Sequence, residues 1–202
     1  MSKKALLLID IQKDFCPGGA LAVAKGDEVV AVANTYIEQY NKTNDLIVAT
    51  QDWHPANHKS FASNHPDKKL FDFIQLNGLG QVLWPVHCVE HSIGAEFHQD
   101  LLPIPCVFCK GEDLEVDSYS GFFDNGKRNK TQLDAFLKEN GVCELDVMGL
   151  ATDYCVKFTV LDALELGYKV NVIKAGCRAV GMKPDDEALA YTDMIQKGAN
   201  II

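Results

Sequence analysis

No apolar run in this chain is long enough to cross a bilayer. The stretch Ala5-Leu6-Leu7-Leu8-Ile9 stops at Asp10, far short of the roughly 20 apolar residues a spanning helix needs. A small-residue cleavage pattern does not follow it, so export is not expected and the cytoplasm is the expected compartment. Basic charge is also scarce. Lys plus Arg number 19 against 28 Asp plus Glu, a formal net charge of −9. That sign repels nucleic acid and anionic lipid, which makes a small molecule or a protein the expected partner. Internal repeats, low-complexity tracts and linkers are absent as well. The seven cysteines are an odd number and suit reduced thiols better than a disulfide framework. Cys106-Val107-Phe108-Cys109 has CxxC spacing, but no second pair completes a zinc ribbon. In an extended run its two thiols would point to opposite faces.

What is present is an alternation of strand-like and helix-like segments. With 202 residues and 47% hydrophobic side chains, one domain over residues 1–202 can bury its own core. Strands are predicted at Lys4 to Ile11, Leu46 to Thr50, Cys106 to Lys110, Leu145 to Leu150, Lys169 to Lys174 and Ala199 to Ile202. Helical spacing appears at Asp27 to Tyr40, Lys130 to Asn140, Asp153 to Leu166 and Pro184 to Lys197. Between Gln51 and Ile104, a long stretch with little periodicity holds all six histidines and both tryptophans. A loop of that length in a compact domain is usually functional. Strand, helix, strand in that order predicts an α/β fold of three layers, with a mostly parallel open sheet of about six strands flanked by helices. In such sheets the site lies at the carboxyl ends of the strands. Asp10, Gln51-Asp52, Lys110 and Ala151 through Cys155 all fall there.

Cys155 follows an apolar run, Cys143 to Leu150, at the start of an amphipathic helix carrying Val156, Val160, Ala163 and Leu164 on one face. Thr152 or Asp153 reads as the N-cap, and the helix dipole would favour a thiolate at Cys155. A cysteine in that place is also, more simply, a small buried apolar residue. Asp10 and Lys110, each at a strand end, could be a turn cap and an exposed cation. With Cys155 they make an acid/base, a cation and a nucleophile drawn from three strands. In Asp52-Trp53-His54-Pro55-Ala56-Asn57-His58, an extended backbone would turn Asp52 and His54 to one side, and a loop could return His87. Two imidazoles and a carboxylate suit a divalent transition metal with open positions, although loop histidines also serve as surface hydrogen-bonding groups.

Taken together, these motifs resemble the nicotinamidases (pyrazinamidases) of the isochorismatase-like cysteine hydrolase superfamily. The likeness runs through Leu8 to Phe15, Thr50 to Pro55, Trp84 to Cys88, Lys110-Gly111, Tyr119 to Phe122 and Gly149 to Val156. It implies a metal-dependent enzyme that deamidates nicotinamide to nicotinate and ammonia in pyridine nucleotide salvage, and acts on pyrazinamide too. It makes Asp10, Lys110 and Cys155 the catalytic triad, and the amides of Ala151 and Cys155 the oxyanion hole. Asp52, His54 and His87 become ligands to one divalent metal, zinc first and iron or manganese as alternatives, with His58 a candidate fourth. Phe15, Leu21, Trp84 and Tyr119 wall the substrate pocket, and a cis peptide is expected at Ala151-Thr152. Two other functions stay open at this level: a related amidohydrolase acting on a carbamoyl or ureido substrate, and a noncatalytic metal-binding or redox-sensing protein on the same fold. Whether the chain forms a homo-oligomer is also open.

Overall fold

The computed structural model describes residues 3–202. Six strands form one sheet in the order β5-β2-β1-β6-β7-β8, and every neighbouring pair is parallel. They span Lys3–Ile9 (β1), Leu46–Asp52 (β2), Cys106–Lys110 (β5), Val142–Leu150 (β6), Lys169–Arg178 (β7) and Asn200–Ile201 (β8). β1 and β6 lie at the centre, and their apolar runs are continuous rather than alternating. Ala5 through Ile9 are all buried, as are Leu145 through Leu150, because both faces of a parallel sheet are covered by helices. Each fully buried leucine there contributes roughly 1.5–3 kcal/mol of transfer free energy.

Four α-helices make the connections: Glu28–Thr43 (α1), Leu133–Glu139 (α2), Lys157–Glu165 (α3) and Asp186–Gln196 (α4). Helix α1 buries Val29, Val30, Ala33, Ile37 and Tyr40, a stripe of helical period. It carries the chain from β1 towards one edge of the sheet, whereas α2, α3 and α4 carry it towards the other. Right-handed crossovers therefore place α1 on one face and the remaining three on the opposite face. The order in which strands are added reverses between β1 and β6, and a crevice opens at their carboxyl ends.

The long segment after β2 contains an antiparallel hairpin, Phe73–Leu76 (β3) with Leu79–Val82 (β4), where only irregular chain was expected. Asn77 and Gly78 both have positive φ, 52° and 80°, the geometry of a two-residue hairpin turn. Beyond it, Trp84 donates its N–H to Ser60 O at 2.8 Å and accepts from Ala62 at 2.9 Å, which brings its indole back over the sheet edge. No helix among the described residues is long and apolar enough to cross a membrane.

Candidate active site

Register brings the strand-end residues together. Ile9 pairs with Thr50 on one side and with Gly149 on the other, and Asp52 pairs with Lys110. Asp10, Asp52 and the turn at Ala151 consequently lie together at one edge of the sheet. Asp10 has φ of 47°, a left-handed conformation uncommon outside glycine. It is pinned by its N–H to Thr50 O at 3.3 Å and by Gln12 N–H to its own carbonyl at 2.8 Å.

Lys110 is the centre of the arrangement. Its Nζ lies 3.0 Å from Asp10 Oδ2, 2.8 Å from Asp52 Oδ1, 2.9 Å from Ser118 O and 3.5 Å from Cys155 Sγ. Burial works against its charge, but the two carboxylates win and hold its pKa well above the ordinary lysine value. Lys110 is therefore a fixed ammonium. Burial also pushes the Cys155 thiol well above its ordinary value, with Asp10 and Asp52 adding to the shift and Lys110 opposing it. Burial thus works against the thiolate that the helix dipole would favour. Burial raises Asp10 too, against the pull of Lys110. Asp10 Oδ2 pairs with the Lys110 ammonium at 3.0 Å and has no further partner among the described residues.

The turn carrying Cys155 also differs from expectation. Residues Thr152–Val156 form a π-turn ahead of α3, with Val156 N–H reaching back to Ala151 O at 3.0 Å. Neither Thr152 nor Asp153 caps it. Asp153 turns away and accepts the N–H groups of Val180 and Gly181, both at 2.9 Å, which ties the turn to the loop after β7. The cis peptide lies one bond earlier than expected, at Leu150-Ala151, where β6 ends. Among the described residues the amide of Ala151 donates to no acceptor.

A second group lies beside the first. Asp52, His54 and His87 are all buried and offer ligand atoms within 4.8 Å of one another. His54 Nδ1–H donates to Gly111 O at 2.9 Å and His87 Nδ1–H donates to Pro85 O at 2.8 Å. Both bonds fix the tautomer and leave the Nε2 lone pairs facing Asp52 Oδ2, at 2.9 and 3.4 Å. Three acceptors that close repel unless a cation or an extra proton sits between them. With two imidazoles and one carboxylate, this donor set fits a divalent transition metal. Gly111 has φ of 74°, and a Cβ there would meet His54 Cε1 at 2.4 Å, so only glycine lets its carbonyl approach the ring.

His58 packs against this group, its ring centroid 4.4 Å from that of His54. Its Nδ1 accepts the Ser60 N–H at 3.2 Å and faces Ser60 Oγ at 2.7 Å. Its Nε2 is buried and has no partner among the described residues. Asp117 completes a group with His54 and His58, and nothing in its sequence surroundings marked it.

Phe15, Leu21, Trp84 and Tyr119 all line one narrow cavity, together with Tyr154 and Val180. The same cavity reaches Ala151 and Cys155 as well as Asp52 and His87. Trp84 meets Tyr154 edge-on with ring centroids 4.8 Å apart, and its Nε1–H donates to Tyr119 Oη at 3.2 Å. Tyr154 and Val180 were not anticipated as wall residues, since each reaches the cavity only through the π-turn and its Asp153 tether.

The isochorismatase domain model matches residues 4–202. This chain belongs to the isochorismatase family. Within the family it is 56% identical to the nicotinamidase of Escherichia coli K12, over 100% of this chain and 95% of the relative. Among solved structures, a nicotinamidase/pyrazinamidase of Acinetobacter baumanii superposes with a TM-score of 0.94 at 39% identity, covering 100% of this chain and 96% of that one. The pyrazinamidase of Pyrococcus horikoshii in complex with zinc superposes with a TM-score of 0.83 at 37% identity, covering 99% and 98%.

Proposed function

We propose that this protein hydrolyses the carboxamide of nicotinamide to nicotinate and ammonia, and acts on pyrazinamide as well. One observation carries the reading: a narrow aromatic cavity has the Cys155 thiol among its walls and also the Asp52 and His87 donor atoms. A flat ring with a carboxamide on one side and a lone pair on the other matches that layout. An aliphatic carbamoyl substrate would leave the aromatic walls unused.

Chemistry follows from the residues around the thiol. Asp10 Oδ2 takes the Cys155 proton, and the Lys110 ammonium at 3.5 Å stabilises the thiolate. Sulfur attacks the carboxamide carbon, and the oxyanion rests on the Ala151 and Cys155 amides, each such donor typically worth ~3–4 kcal/mol. Asp10 returns its proton to the departing ammonia, which leaves a thioester on Cys155. Asp10 then deprotonates a water that releases nicotinate. Asp52, His54 and His87 would hold a divalent ion, zinc by likeness to the Pyrococcus horikoshii protein, with iron and manganese compatible with the same donors. When bound, it supplies a Lewis-acid contact for the ring nitrogen that orients the substrate.

Benzamide keeps the carboxamide and the shape but has no ring nitrogen. A site built around a polar contact rejects an analogue lacking it by roughly 10⁴ or more. Ammonia release should therefore be fast with nicotinamide, nearly absent with benzamide, and strongly reduced with nicotinamide after chelation, with activity restored by zinc. Benzamide turnover within about tenfold of nicotinamide, a gap of ~1.4 kcal/mol, would sink the role assigned to the metal. Absence of ammonia release from nicotinamide by the metal-loaded protein would sink the activity itself.

A further inference from the structure

The geometry points to Thr50 as a positioning residue for the proton transfer, an inference that rests on reading Asp10 as the base. Thr50 is fully buried in β2, opposite Ile9. Its hydroxyl donates to Asp10 Oδ1 at 2.6 Å, and its carbonyl accepts the Asp10 N–H at 3.3 Å. One residue thus holds Asp10 by its backbone and by its carboxylate. With Oδ1 engaged by Thr50, the carboxylate cannot turn over without breaking that bond. The other oxygen, Oδ2, is then the one presented to Lys110 at 3.0 Å, the same ammonium that meets Cys155 Sγ at 3.5 Å. Nucleophile, base and orienting group form the sequence that activates a weak nucleophile, with the hydroxyl in the third place.

The hydroxyl is itself held in direction. Thr50 Cγ2 packs against Gly121, where an added Cβ would sit only 2.6 Å from that methyl. Gly121 is fixed in turn by its N–H to Thr159 Oγ1 at 2.9 Å. A β-branched side chain has few χ1 choices, and with its methyl in the Gly121 slot the remaining arm aims at Asp10. Thr50 lies inside a strand and reads as β-branched filler. Only the pairing of β2 with β1 reveals the contact.

Thr50→Val keeps the branch and removes the proton, whereas Thr50→Ser keeps the proton and removes the methyl. Nicotinamide turnover, bound metal and Tm are measured for both, alone and combined with Asp10→Asn. Thr50→Val should lower kcat about tenfold to a hundredfold, as for loss of a hydrogen bond to a charged group, with KM and metal content little changed. Thr50→Ser should retain most of the rate. In the Asp10→Asn background Thr50→Val should cost nothing further, because the group it orients can no longer act as a base. Should the valine variant not fold, Thr50→Ala compared with Thr50→Ser gives the same contrast. Wild-type kcat in Thr50→Val, or an undiminished further loss in Asp10→Asn, overturns the proposal. Near-wild-type kcat in Asp10→Asn alone instead overturns the reading of Asp10 as the base, and the proposal with it.

Discussion

A thiol buried between carboxylates is harder to deprotonate than one in water, and a buried carboxylate is a stronger base. Burial raises both Cys155 and Asp10, with Lys110 opposing each shift. Asp10 can accept the thiol proton only while it is ionised. As pH falls through its raised pKa it becomes neutral and turnover stops, so the acid limb of kcat/KM should lie above the ordinary aspartate value of about 3.9. On the alkaline side no gain from spontaneous thiolate is expected near neutrality, because the thiol pKa is also raised. A pH profile of kcat/KM for nicotinamide decides this, and an acid limb at the ordinary aspartate value would show that burial does not govern Asp10. Asp10 and Lys110 were legible because each ends an apolar run with a residue that has no reason to be buried, and Cys155 because it stands at the start of the helix that follows another such run. Thr50 and Asp117 were not, since a threonine inside a strand and an aspartate in a loop have ordinary explanations until register places them.

Among the elements, β6 bears the tightest constraint. Gly149 has φ of 135°, and a Cβ there would stand 2.1 Å from Ile9 O, the carbonyl just before Asp10. The β6–β7 register shifts between Val147 and Gly149, so the strand already bends there to deliver the Cys155 turn. Gly149→Ala should destabilise the protein by on the order of 3 kcal/mol or more through overpacking and an unfavourable φ. Urea unfolding of the variant measures it, and an unchanged midpoint would mean that β1 yields easily. Strand positions were read well from apolar runs, and Cys106–Lys110 matches residue for residue. The β3–β4 hairpin was missed because its strands are short and only half-buried, although Asn77-Gly78 carried the turn signal. Helix periodicity could not foresee the π-turn, since the five residues Thr152–Val156 are too few to show a period.

Across the whole molecule, the sheet divides its labour at the β1–β6 seam. One side, β5-β2-β1, supplies Asp10, Asp52 and Lys110, and the other supplies the cysteine turn. Lys110 spans the seam, touching Asp10, Asp52 and Cys155 at once. Moving a proton from Cys155 to Asp10 beneath that one ammonium transfers charge between neighbours but leaves the total inside the pocket unchanged. Nicotinamide enters uncharged. Neither the encounter nor the first chemical step therefore draws on the field of a protein whose net charge is −9. Ionic strength acts on encounters between exposed charges and hardly reaches buried ones. kcat/KM should thus vary by no more than about twofold from dilute buffer to roughly 1 M of a non-coordinating salt, where the Debye length has shrunk to about 3 Å. A tenfold change would mean that a charged species must cross the pocket mouth before the thiol can act.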